Sequence, residues 1–201
     1  MDRIATHPIP AVVCQHVEEA VHLNGLRAVL VTAPHVGLFQ LRRLDERLAA
    51  HLDGIAVAGA AGREQCVALL DAPSAGAVFV ATLRAIEDGD GRLVQRLLAI
   101  AESKPETLSG LARALAWASA HDLRSMVRAM LSSANPLWRI VAVLACSAHM
   151  VDPGAALTSA LAEEDSRLRA LALRMAGECG RQELGEACLE ATADIHCAWD
   201  L

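Results

Sequence analysis

From residue 75 onward the chain repeats its pattern every thirty residues without a gap. That periodicity constrains the fold more than any local motif does. One column reads Val78, Leu108, Trp138, Leu168 and a second Ala81, Leu111, Val141, Leu171. A third reads Thr82, Ala112, Ala142, Ala172 and a fourth Ala85, Leu115, Ala145, Met175. Within a unit these positions are offset by three, four and seven, which marks one face of a helix. A second set, Leu97, Val127, Leu157, Ala187 and then Ala101, Leu131, Leu161, Ala191, places another helix in each unit. Each unit therefore reads as a helical hairpin, at 75–104, 105–134, 135–164 and 165–194, with a partial unit at 195–201. A hairpin cannot bury its apolar face alone, so the units are expected to stack into a solenoid.

Composition favours helix over strand. Hydrophobic residues make up 54% of the chain but aromatics only 2%, with no Tyr, and the excess lies in Ala and Leu. The turn signals follow the same period: Asp122 and Asp152 share a column where a side-chain oxygen would cap the second helix, and Asn135-Pro136 opens a first helix. Gly89, Gly91, Pro153 and Gly180 fall in the turns within hairpins. Residues 194–201 restart a first helix, and Ala198, Trp199 and Leu201 are not the polar cap that ends a solenoid. A longer array, or self-association through Trp199, Leu201, Cys188 and Leu189 of the last repeat, is the expectation.

Residues 1–73 form a different unit from the repeats at 74–201. Pro8 and Pro10 start a helix that runs to about Thr32, where Ala33-Pro34-His35 breaks it. A second helix begins near Leu38 with Leu41, Leu44, Leu48 and Leu52 on one face, and Asp53-Gly54 reads as its stop. A glycine-punctuated link, 54–62, leads into a short helix ending near Asp71, and Asp71-Ala-Pro-Ser74 marks the boundary.

The run QHVEEAVHLNGLRAVLVTAPHVGLFQLRRLDERLAAHLDGIAVAG at 15–59, with APH in its middle and LDERLAAHLDG near its end, resembles the N-terminal signature of a bacterial family. That family carries HEAT-like repeats of the phycobilisome-lyase type and occurs in type VI secretion gene clusters. The resemblance covers the first third of the chain in detail and the repeats in kind. It implies an all-α protein, an N-terminal helical cap followed by a HEAT-like α-α superhelical solenoid. Its expected role is as an interaction or scaffold protein accessory to the secretion machine, with a secretion-system component as partner. Members of the family continue through more repeats than this chain has. Fold analogy does not carry chemistry, so the name of the repeat gives no ground for a bilin lyase.

Glu19-Ala-Val-His22 places a carboxylate and an imidazole on one helical face, as in di-metal bundles. Such a site needs a second Glu-x-x-His, and there is none, so the pair reads as a wet or docking surface. Six cysteines stand at 14, 66, 146, 179, 188 and 197 without a CxxC pair. They read as reduced, buried thiols of a cytoplasmic protein, and the even spacing of Cys179, Cys188 and Cys197 beside His196 lacks the close ligand pairs of zinc sites. Neither a nucleophile elbow nor a phosphate loop occurs, and the chain reads as non-catalytic and free of cofactors. No uncharged stretch reaches membrane-spanning length.

Two surfaces remain. The first is a docking face of His16, Glu19, Arg42, Arg43, Glu46, Arg47 and His51, with Glu18, His35 and Asp53 in the same signature. The second is an inner-surface patch of Arg92, Arg96, Arg124 and Arg128, the row a phosphate backbone would use. It carries the alternative function, a HEAT-like nucleic-acid-binding protein or base-excision enzyme. A net charge of −6, a pI near 5.7 and the scarcity of aromatics for base stacking argue against nucleic acid.

Overall fold

The computed structural model describes residues 8–193, and among them every regular element is helical. The helices are α1 (Pro10–Leu30), α2 (Leu38–Val57), α3 (Ala60–Ala68), α4 (Ala75–Glu87), α5 (Gly91–Ser103) and α6 (Leu108–Trp117). They continue with α7 (Ala120–Leu131), α8 (Pro136–Ala148), α9 (Ala155–Leu161), α10 (Ser166–Glu178) and α11 (Gly185–Ala193). Single 3₁₀ turns at Leu69–Asp71, Pro105–Thr107 and Gln182–Leu184 precede or follow them. The chain divides into two compact units between Ala114 and Leu115, inside α6.

In the first unit α4 is the central helix. Its sequence AGAVFVATLRAIE is apolar all round, and Gly76 through Leu83, with Ala85 and Ile86, are buried. It packs against α1 and α3 as well as α5, which is why this compact unit extends beyond the sequence boundary at 73/74 and takes in the first hairpin. Small residues allow the approach: a Cβ on Gly76 would lie 2.8 Å from the Val21 carbonyl oxygen, and one on Gly110 would lie 1.9 Å from that of Ala75. Arg84 is the cation within α4, and Glu87 at 3.0 Å and Asp88 at 2.5 Å hold its guanidinium. Asn24, 1% exposed on α1, accepts from Arg113 Nη2 at 3.0 Å and Nε at 3.2 Å. Burial, with Arg27 adding to it, lowers the proton affinity of Arg113.

The second unit is built on Ile140 and Val143 of α8, Leu157 of α9, Leu168, Leu171 and Met175 of α10, and Leu184. The columns Ala81/Leu111/Val141/Leu171 and Ala85/Leu115/Ala145/Met175 are buried at every member. Leu108, Ala112 and Trp138 are only half-buried, and Ala191 lies where no side chain is described.

Local signals account for several boundaries. Asn135 caps α8, accepting from Leu137 N at 2.9 Å with Pro136 at the first helical position, and Asp165 caps α10. Asp122 and Asp152 are not the caps the repeat suggested. Ser119 caps α7 through His121 N at 3.2 Å, leaving Asp122 inside the first turn. Asp152 accepts from the N–H of Gly154, and Gly154, at φ 65°, is the residue that precedes α9. Gly54 does not stop α2 either. The helix runs to Val57, and Gly59 at φ 56° makes the reversal.

Candidate docking surfaces

Of the polar residues in the N-terminal signature, α1 and α2 bring together Arg27 with Asp45, at 2.6 Å, and one pair from the expected docking face. His16 Nδ1 and His51 Nδ1 are 3.1 Å apart, both half-buried. Glu18 instead accepts from the Cys14 thiol at 3.4 Å, and His35 and Asp53 are exposed away from the pair. Glu19 is half-buried and His22 exposed, and neither has a hydrogen-bond or ion-pair partner among the described residues. The described residues hold no group of three His, Cys, Asp or Glu side chains arranged for a metal ion.

The remaining residues of this face lie along α2, whose Leu44, Leu48 and Ile55 are buried on the opposite side. Arg42 Nε meets Glu46 at 3.0 Å with both side chains exposed. Arg43 lies over the Phe39 ring, its guanidinium carbon 5.9 Å from the centroid. Arg47 is exposed and unpaired. Phe39 and its neighbour Leu38 are 70% and 86% exposed, so the charged face carries an apolar end. Neither residue belongs to the docking face expected from the sequence. The available signal was spacing, because Phe39 sits three and four residues before Arg42 and Arg43 rather than on the leucine face.

Arg92 and Arg96 project from α5 in the first unit, Arg124 and Arg128 from α7 in the second, and all four are exposed. None has an acidic partner among the described residues, whereas Arg27, Arg42, Arg63, Arg84, Arg139, Arg167, Arg174 and Arg181 each reach a carboxylate. Arg96 shares a shallow depression with Arg63, Glu64, Val67 and Asp71, where acids already balance the charge. Arg124 and Arg128 line an open groove of about 380 Å³ with apolar walls.

Four of the thiols offer little nucleophilic chemistry. Burial pushes Cys66 up to about 12 and also raises Cys146 and Cys179, while the hydrogen bond to Glu18 raises Cys14. A reactive cysteine needs the opposite shift. Cys188 is half-buried against the core of the second unit and Leu189 is exposed on α11, but Trp199 and Leu201 lie outside the described residues. Among the described residues no helix is long and apolar enough to cross a membrane. Comparison of the chain with protein-family models, with curated proteins and with solved structures gives no match.

Proposed function

We propose that this chain is a non-catalytic protein-binding scaffold of the bacterial cytoplasm. Its N-terminal helices are followed along the chain by helical hairpins of a HEAT-like superhelix, and it serves a type VI secretion system as an accessory component. The observation that carries the binding role is the α2 face. An exposed aromatic under an arginine, next to an exposed leucine, an unpaired Arg47 and the Arg42–Glu46 pair, has the composition of a protein interface rather than of a merely solvated helix. Assignment to the secretion system rests on the N-terminal resemblance.

The test is co-purification of the tagged full chain with sheath, baseplate and membrane-complex proteins of a type VI secretion system. Arg43→Glu/Arg47→Glu is expected to abolish capture while leaving helix content and melting unchanged, because both side chains are exposed. Retained capture in that protein and loss in Arg92→Glu/Arg96→Glu would move the interface to α5.

The unpartnered pairs Arg92/Arg96 on α5 and Arg124/Arg128 on α7, each within its own unit, favour a second reading, binding to a phosphate backbone. Its mark is retention of single- or double-stranded oligonucleotide that falls steeply with salt and is lost on reversing those four residues.

A further inference from the structure

We propose that the groove along α7 is a docking site for an acidic amphipathic helix of a partner protein. One wall consists of Ala120, Leu123, Arg124, Val127, Arg128 and Leu131, a complete stripe at helical offsets of three, four, seven, eight and eleven. Ala145, Cys146 and His149 at the end of α8 form the other wall, and Val151, Asp152 and Pro153 of the following loop close one end. The stripe is about 16 Å long at the rise of a helix, so its natural occupant is an element of about three turns rather than a compact small molecule. Val127, Leu131 and Val151 supply the accessible apolar seat for that occupant's buried side chains, over a floor of buried Leu123, Ala145 and Cys146.

Charge fixes the occupant's other face. Asp152 is committed to Arg181, whose Nη1 lies 3.0 Å from both of its oxygens, and it also accepts from Gly154 N at 2.8 Å. The imidazole of His149 is committed through Nε2 to the Leu115 carbonyl at 2.8 Å. Arg124 and Arg128, one turn apart, are the groove's charged groups without a partner, in a chain whose net charge is −6. Two guanidinium forks at that spacing match carboxylates one turn apart on a facing helix. A nucleic acid would satisfy the arginines but leave the apolar seat unused, and no Phe, Trp or Tyr lines the groove for bases to stack on. This site goes beyond the α2 reading and is tested separately from it.

The probe is a fluorescein-labelled synthetic helix with leucines at offsets of three, four and seven and glutamates four apart on the flanking face, titrated into the full chain by fluorescence anisotropy. Saturable binding is expected, weakening with salt and falling at least about tenfold in Arg124→Glu/Arg128→Glu. Arg124→Gln/Arg128→Gln, which keeps the size of the side chains without their charge, should fall between. Circular dichroism and melting of each variant establish that it is folded. The proposal is overturned if the glutamate peptide shows no saturable binding, if a lysine version binds equally well, or if the reversal leaves affinity unchanged. Binding of a single-stranded oligonucleotide in place of the peptide, lost on reversal, would overturn it in favour of nucleic acid. The α2 reading is untouched by any of these results, because its assay depends on Arg43 and Arg47.

Discussion

His16 on α1 and His51 on α2 meet with their Nδ1 atoms 3.1 Å apart, their ring centroids 5.2 Å apart and their planes at 63°. Such a contact requires one Nδ1 to carry the proton and the other to accept it, so the neutral pair combines two different tautomers. Gly54, one turn beyond His51, leaves the space, because a Cβ there would come within 2.8 Å of the His16 ring. A double-mutant cycle of His16→Ala and His51→Ala should return a coupling of about 0.5 to 1.5 kcal/mol, read from urea midpoints. Gly54→Ala should lower the midpoint, although Ala is the better helix former. Additive single substitutions would show that the contact contributes nothing.

Leu111 and Leu171, both 2% exposed, occupy the same column of the repeat in the two units. Truncating either to Ala is expected to cost about 2 to 5 kcal/mol through lost burial and the cavity left behind. Denaturant midpoints compared variant by variant are the measure, since two units need not unfold as one transition. An unchanged midpoint in both would remove the repeat register as an account of the core.

Met150 adopts φ 54° where the equivalent positions near the ends of α4 and α10 hold Gly89 and Gly180. The backbone bonds match: Val151 N reaches Cys146 O at 2.9 Å, as Asp90 N reaches Ala85 O at 2.8 Å and Arg181 N reaches Ala176 O at 3.0 Å. These close the helix ends with a left-handed residue, which disfavours a side chain. Met150 is exposed, so Met150→Gly removes little packing and should stabilise the second unit by about 0.5 to 1 kcal/mol. Gly180→Ala should do the reverse, and thermal melting distinguishes the two directions.

Asp165 caps α10 through Arg167 N at 2.9 Å and Leu168 N at 3.3 Å, and its carboxylate also takes the Arg167 guanidinium at 2.9 Å. The Arg167 hydrogen bond is the main cause holding its pKa below the ordinary carboxylate value. A depressed folded pKa gives stability that is fully present above the unfolded value, about 3.9, and is lost as pH falls through the folded one. Asp165→Ala should cost about 1 kcal/mol at neutral pH, with the penalty shrinking below pH 4. Asp165→Asn, still a capping residue, should remain close to the parent at neutral pH and show less of the acid-induced loss. Melting scans from pH 7 to pH 2 test both.

The helices were legible along the chain because they follow from local physics and one repeated constraint. A face at offsets of three, four and seven must be buried, and Asn135-Pro136 caps a helix whatever lies around it. Phe39 beneath Arg43 had only its spacing to mark it, and spacing does not say that the ring stays exposed. What the linear pattern left open depends on contacts between segments distant in the chain. Gly54 looks the same whether it ends a helix or admits a neighbour, and only the His16 ring, on another helix, decides for the second. Val78 and Val80 occupy opposite faces of α4, yet both are buried, because α1, α3 and α5 enclose that helix from several sides. Arg124 and Arg128 were visible as a charged pair. The seat beside them was not, because its opposite wall is supplied by Cys146 and His149 of another helix, which only the fold carries to that place.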